Sequence, residues 1–148
     1  MRTIVTFESD AFNSTEPRDY FINECCFGDD VARAVIDELR SRRAVTEPEP
    51  GQEDFGWYLT FDAGASHQLV IGYRPDTDEG GTWICWLERN AGLIGSLLGR
   101  RRRVLPEAAT VINEVLAAIP SVRNVRWHTK NAFDNGNESE SASSPTMP

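Results

Sequence analysis

Adjacent cysteines, Cys25 and Cys26, are the residues of this sequence best suited to covalent chemistry. They precede a predicted helix, and the positive end of a helix dipole lowers a thiol pKa and so favours the nucleophilic thiolate. A catalytic thiol also needs a base, and the chain offers only His67 and His128. No pattern in the sequence brings either histidine to the cysteines. We therefore predict that the two cysteines are core residues and that the chain has no catalytic residue.

The metal-binding residue types also lack the spacing of a metal site. The three cysteines and two histidines include no C-x-x-C or H-x-x-x-H pair, which is the usual arrangement in zinc sites. The segment from Asp76 to Gly80 has a faint similarity to a calcium loop. It lacks the glutamate that such a loop carries at its twelfth position. We expect no metal site and no cofactor.

The elements that must position these groups include a meander of three strands. Large apolar residues recur at every second position in the runs Trp57–Phe61, Leu69–Tyr73 and Trp83–Leu87, which is typical of strands with one buried face. Short connections that contain glycine join the runs and favour sequential hairpins. The third run is apolar on both faces, which indicates a central strand covered on both sides or a subunit contact.

Two amphipathic helices flank this meander. The first is predicted to begin after an N-cap at Asp29 or Asp30, and the second to lie between Pro106 and Pro120. One strand at residues 2–8 and another at residues 122–128 complete the order β-α-β-β-β-α-β. This order predicts an α+β fold, a two-layer sandwich with a mostly antiparallel sheet.

The chain is expected to divide into one domain and a tail. Residues 1–128 would form a single α+β domain, since this length is enough to bury a core. Residues 129–148 are rich in Asn, Ser, Glu and Pro, and this composition predicts a disordered tail.

The meander also predicts that carboxylates gather at one end of the sheet. In sequential hairpins, the beginning of the first strand, the end of the second and the beginning of the third lie at the same edge. The carboxylates next to these strand ends are Glu47, Glu49, Glu53, Asp54, Asp76, Asp78 and Glu79. Together with Trp57 they predict a surface that docks on a basic protein partner. The alternative is a set of solvated loops that keep the protein soluble.

A second charged cluster precedes the second predicted helix. It comprises Arg89, Arg100, Arg101, Arg102 and Arg103. Cations at a helix N-terminus favour phosphate or another anion, so a small enzyme or anion-binding protein is the alternative function. The simpler interpretation is an exposed loop neutralised by the protein's own carboxylates. Arginines without interleaved aromatic residues are not typical of nucleic-acid binding.

Charge and composition narrow the classes of partner. A net charge of −8 disfavours nucleic acid and suits a basic protein. The sequence shows no signal peptide and no apolar run long enough to span a membrane, and three cysteines do not form a disulfide framework. We therefore expect a reducing, cytoplasmic location without a membrane partner. A homo-oligomer is a further alternative, because Ile84, Trp86 and residues 91–99 would present apolar surface.

The hexapeptide Glu53-Asp54-Phe55-Gly56-Trp57-Tyr58 follows a helix and a linker rich in Pro and Glu. This arrangement resembles several small bacterial α+β proteins whose usual motif is Glu-Asp-Trp-Gly-Trp, some of them immunity proteins of polymorphic toxin systems. Phe55 departs from the usual Trp. The resemblance extends over residues 21–127 and implies a non-enzymatic protein that binds and blocks a toxin, often a basic nuclease. It implies Glu53, Asp54 and Trp57 as candidate contact residues.

Overall fold

A computed structural model describes residues 1–76, 80–90 and 102–146 of the chain. Their strands are β1 (Ile4–Glu8), β2 (Gly51–Glu53), β3 (Gly56–Asp62), β4 (Ser66–Pro75), β5 (Gly81–Arg89) and β6 (Arg123–His128). Their helices are α1 (Asp29–Ser41), α2 (Pro106–Ala118) and α3 (Lys130–Asp134), followed by a 3-10 turn at Glu138–Glu140. The strands form one antiparallel sheet in the order β2-β3-β4-β5-β1-β6. The predicted α+β fold is confirmed.

The hydrophobic core lies between one face of the sheet and the two long helices. Alternate residues of the strands turn toward this face, as the period of two requires, and they pack with the apolar stripes of α1 and α2. Trp83 and Trp127 are among the largest fully buried side chains. The core thus fixes both helices on the same face of the sheet.

The second face of the sheet is covered at its centre by the chain itself. Ile84 and Trp86 point to this face from β5, the strand predicted to be apolar on both sides. Ile84 is only 7% exposed, and the ring of Phe133 from α3 meets Trp86 edge-on at 6.5 Å. Phe133 of the C-terminal segment therefore covers part of Trp86 on the second face of β5. Because Ile84 is buried, it offers no exposed surface to an oligomer contact.

The C-terminal segment corrects the prediction of a disordered tail for residues 129–146. The Thr129 hydroxyl caps α3 by accepting a hydrogen bond from the Ala132 N–H at 3.2 Å. Further on, Trp127 and Ala142 exchange two backbone hydrogen bonds, of 2.7 and 2.9 Å. The pairing of Trp127 with Ala142 is non-local, so a composition rich in polar residues does not reveal it.

Two local details also differ from the sequence prediction. The prediction missed β2, which has only three residues and forms because it pairs with β3. The N-cap of α1 is Gly28, with φ of 135°, rather than Asp29 or Asp30. A Cβ at Gly28 would lie 2.8 Å from Ile71 Cγ2, so close packing and the positive φ both require glycine here.

The strands β3 and β4 end at different levels. Trp57, near the beginning of β3, pairs with Ile71 in the middle of β4. Beyond that level β4 continues from Gly72 to Pro75 and pairs only with β5. The β4–β5 hairpin therefore extends past the β2–β3 turn and leaves a step at this end of the sheet.

Candidate functional site

The candidate acidic residues do not all lie at one end of the sheet. Glu53 ends β2 and Asp54 follows it in the β2–β3 turn, and both are exposed. Glu47 lies elsewhere, because its N–H donates to the Thr60 carbonyl at 3.1 Å, near the far end of β3. Thr46, next to it, forms an isolated bridge with Phe61 near the end of β3, so Glu47 is displaced from the turn. The prediction that all the carboxylates gather at one edge is therefore wrong for Glu47.

Two further candidates form ion pairs within the chain. Glu49 pairs with Arg33 of α1. Asp76 accepts hydrogen bonds from the Thr82 hydroxyl at 2.6 Å and from Arg74 Nε at 3.3 Å. These carboxylates are partly neutralised by their neighbours and are less available to a cationic partner. The candidates Asp78 and Glu79 lie outside the described residues.

Trp57 positions a loop and offers little surface to a partner. Its side chain is only 4% exposed. Its Nε1–H donates to the Cys26 carbonyl at 2.9 Å, and its ring meets Phe21 at 5.6 Å. Trp57 thus fastens the loop before α1 to the beginning of β3.

The same loop and the β2–β3 turn present exposed apolar side chains that the sequence prediction did not select. Tyr20, Ile22 and Phe55 are each more than half exposed, at 54%, 54% and 57%. The sequence feature that could have identified Phe55 as a functional residue is its position in the hexapeptide Glu53–Tyr58. Nothing in the pattern distinguished Tyr20 or Ile22 from an ordinary loop.

Three side-chain hydrogen bonds hold the loop against the turn. Gln52 Oε1 accepts from the Ile22 N–H at 2.6 Å, and Gln52 Nε2 donates to the Tyr20 carbonyl at 2.9 Å. Asn23 Nδ2 donates to the Asp54 carbonyl at 2.5 Å. These bonds hold the loop before α1 and the β2–β3 turn side by side, and both segments carry exposed apolar and acidic residues. We name the residues of this set the hairpin surface: Tyr20, Ile22, Glu24, Glu53, Asp54 and Phe55.

Tyr20 is fixed from its hydroxyl as well as from its backbone. The hydroxyl donates a hydrogen bond to Asp29 Oδ2 at the beginning of α1, and this bond raises the pKa of Tyr20. The ring meets Trp57 edge-on at 6.0 Å. A side chain that is held before binding loses little conformational entropy when a partner covers it.

The two cysteines are not core residues, which corrects the prediction. Cys25 is exposed and Cys26 is partly exposed, because both lie on the loop that crosses the end of β3. Their Sγ atoms are 3.4 Å apart. Burial, followed by the hydrogen bond with Cys25, raises the pKa of the Cys26 thiol. A thiol with a raised pKa is a poor nucleophile at neutral pH.

Both histidines have structural contacts elsewhere. The Nδ1 of His67 lies 2.7 Å from the Ala65 carbonyl, and its Nε2 accepts from the Leu105 N–H at 3.2 Å. This pair of contacts requires the neutral ring with its proton on Nδ1. His128 contacts the Thr6 hydroxyl through Nε2 at 2.8 Å. Burial lowers the pKa of both histidines, so both rings are weaker bases than an exposed histidine.

The arginine cluster is described only in part. Arg89 pairs in register with His67, and the bond from Leu105 to His67 brings the segment after Arg103 to this end of the sheet. Arg102 and Arg103 are exposed. The candidates Arg100 and Arg101, like residues 91–99, lie outside the described residues.

Other classes of site receive no support from the described residues. Within residues 1–76, 80–90 and 102–146, no group of three or more His, Cys, Asp and Glu side chains could hold a metal ion. No helix in the same ranges is both long and apolar enough to cross a membrane.

Comparisons with protein-family models, with curated proteins and with solved structures give no match. The similarity to immunity proteins therefore stays a prediction that rests on the hexapeptide.

Proposed function

We propose that this chain is a non-enzymatic protein-binding module that docks its hairpin surface on a basic protein partner. The observation that carries the proposal is the set of exposed apolar side chains, Tyr20, Ile22 and Phe55, on two segments tied by hydrogen bonds. Aromatic residues are enriched in the centres of protein interfaces, and their burial supplies most of the binding energy.

The charge on this surface indicates the chemistry of the partner. Glu24, Glu53 and Asp54 are exposed, and within the described part of the chain none of them forms an ion pair. Their charge adds to a net charge of −8 for the whole chain. Such a surface attracts a cationic protein and repels nucleic acid, and it speeds the encounter with the right partner.

The role that fits this chemistry is an immunity-like one, in which the chain covers a basic toxin and blocks it. A basic nuclease is the kind of toxin that the resemblance of the hexapeptide implies. The three free cysteines suit a reducing, cytoplasmic setting for this encounter.

The test begins with recovery of a partner from the native cell at low and at high salt, followed by measurement of association and dissociation rates. We expect the double variant Glu53→Lys/Asp54→Lys to slow association at low salt by about tenfold and to reduce its dependence on salt. Phe55→Ala should speed dissociation, because it removes an exposed aromatic side chain from the hairpin surface.

Glu47→Lys is the matched control. Glu47 is exposed and carries the same charge, but it lies beside Thr60 at the other end of β3. The proposal is wrong if the double variant binds like the original protein, or if Glu47→Lys slows association as much as a single Asp54→Lys substitution does.

A further inference from the structure

The two adjacent thiols open into an apolar cleft at the step between the β2–β3 turn and the end of β4. The cleft has a volume of about 560 Å³. Its walls are formed by Ser14, Cys25, Cys26, Phe27, Phe55, Ile71, Gly72, Tyr73 and Pro75. The site therefore combines two sulfur atoms with aromatic and aliphatic walls, and it shares only Phe55 with the hairpin surface.

Cys26 is held in this position by its backbone. Its carbonyl accepts the hydrogen bond from Trp57 Nε1 at 2.9 Å. Its N–H donates to the Asn23 carbonyl at 3.1 Å. The fixed backbone holds Cys26 at the cleft, and the adjacent Cys25 places its sulfur atom 3.4 Å from that of Cys26.

The distance between the sulfur atoms suits two bonds to one small ion. Metal–thiolate bonds are about 2.3 Å long for zinc, and at that length two sulfur atoms of one tetrahedral ion lie about 3.8 Å apart. The observed 3.4 Å corresponds to an angle of about 95° at the same bond length. Two sulfur atoms this close can both bond to one small ion. The narrow bond angles of a pyramidal trivalent ion with a lone pair, such as arsenic(III), accommodate this separation, whereas a linear ion would need the sulfur atoms farther apart.

The surroundings indicate what would complete the coordination of such an ion. Within the described residues, no third His, Cys, Asp or Glu side chain joins the two thiols to make a metal-binding group. The remaining walls are mainly apolar and include Phe27, Phe55 and Ile71. A third bond to a carbon group, packed against these walls, fits this environment better than a third protein ligand.

We propose that Cys25 and Cys26 form a chelating site for trivalent arsenicals that carry a single organic group. The reaction with such an arsenical, R–As=O, is a condensation without change of oxidation state. Two S–H bonds break, two As–S bonds form, and the two protons leave with the oxygen as one water molecule. The ring that closes contains both sulfur atoms and the backbone between the two residues.

The experiment uses the full chain and phenylarsine oxide as the probe, with intact-mass spectrometry as the readout. We expect one adduct per chain, with the mass of the probe less one water. Dithiothreitol should remove the probe, and glutathione at the same thiol concentration should not. Peptide mapping after alkylation should show Cys25 and Cys26 protected.

The single variants Cys25→Ser and Cys26→Ser should each weaken binding at least tenfold and make the adduct removable by glutathione, because only one sulfur remains. Cys85→Ala is the matched control, since Cys85 is buried in the core, and it should bind as the original protein does.

The contribution of the cleft is tested by Phe55→Ala with two probes. An adjacent pair of cysteines can bind arsenic in an unfolded chain as well, so the apolar wall must be measured separately. We expect Phe55→Ala to weaken binding of the phenyl arsenical several-fold and that of its methyl analogue much less. Equal losses for the two probes, or a native chain that takes up no phenylarsine oxide, would overturn the proposal.

Discussion

Arg74, on the part of β4 that extends past β3, donates two hydrogen bonds to the Glu138 carboxylate. The bond from Nη1 to Oε1 is 2.6 Å long and that from Nη2 to Oε2 is 3.3 Å long. This forked geometry is the strongest arrangement of an arginine and a carboxylate. It raises the pKa of Arg74 and lowers that of Glu138. The pair fastens the C-terminal segment to the sheet over a separation of 64 residues.

The first prediction concerns this pair. Glu138→Gln should lower the free energy of unfolding by about 0.5–1 kcal/mol near neutral pH, since both side chains are 40% exposed and water screens their attraction. Because the folded pKa of Glu138 lies below its ordinary value of 4.5, the stabilisation is complete above that pH. It is lost as the pH falls through the folded pKa. Urea unfolding at several pH values measures both effects.

Asp134→Asn is the control for this measurement. It removes the exposed pair of Lys130 and Asp134 within α3, which should contribute no more than about 0.5 kcal/mol. If Glu138→Gln lowers the free energy of unfolding no more than Asp134→Asn does, the pair of Arg74 and Glu138 does not fasten the C-terminal segment.

The second prediction is a loss of stability in mild acid that comes from His67 and His128. Both histidines have a folded pKa below their ordinary value of 6.5, because burial disfavours the charged ring. The unfolded chain therefore binds more protons between the folded and unfolded pKa values. Stability should be full above pH 6.5 and should fall as the pH drops below that value. Chemical denaturation between pH 8 and pH 5 measures this slope.

His67→Asn separates the two contributions. Removal of His67 should make the slope below pH 6.5 shallower, because one of the two groups that take up protons on unfolding is gone. A slope unchanged by this substitution would mean that His67 titrates alike in the folded and unfolded chains.

The third prediction compares two glycines of the sheet that lie under aromatic rings. A Cβ at Gly81 would lie 2.1 Å from Tyr73 Oη and 2.6 Å from the Arg74 carbonyl oxygen. The three atoms nearest to a Cβ at Gly51 all belong to the Tyr58 side chain, with Cζ at 2.2 Å. A Cβ at Gly81 requires the backbone at Arg74 to shift, whereas a Cβ at Gly51 requires only that the half-buried ring of Tyr58 turn outward. We expect Gly81→Ala to cost about 1–3 kcal/mol and Gly51→Ala clearly less. Thermal and urea unfolding of both variants provide the comparison, and equal costs would contradict it.

The strands and helices that the sequence predicted correctly are those with a strong local pattern. The alternation of residues from Trp57 to Phe61 has a period of two, and this local pattern alone predicts a strand. The segment between Pro106 and Pro120 has a helical stripe and two prolines at its ends, and α2 occupies Pro106–Ala118. In both cases the information lies within a few residues of the element itself.

Most of the features that the sequence did not predict depend on contacts between distant parts of the chain. β2 is an exception: it pairs locally with β3, but its three residues are too few to show a periodic pattern. The hairpin surface depends on Gln52, which bonds to a loop thirty residues earlier. The same reason explains Glu47, whose N–H bonds to the Thr60 carbonyl near the far end of β3, away from the β2–β3 turn. Local composition carries no information on such pairings.

The step at the end of β4 also bears on aggregation. Asp76 N–H donates to Gly80 on the β5 side, and alternate residues of a strand bond to the same side. Tyr73 therefore turns its N–H and C=O toward the edge that β3 does not reach. Pro75, the next residue facing that edge, has no N–H to donate. Within the described residues of this edge, only Tyr73 offers both its N–H and its C=O to a strand from another molecule. The edge therefore disfavours the formation of an intermolecular β-sheet.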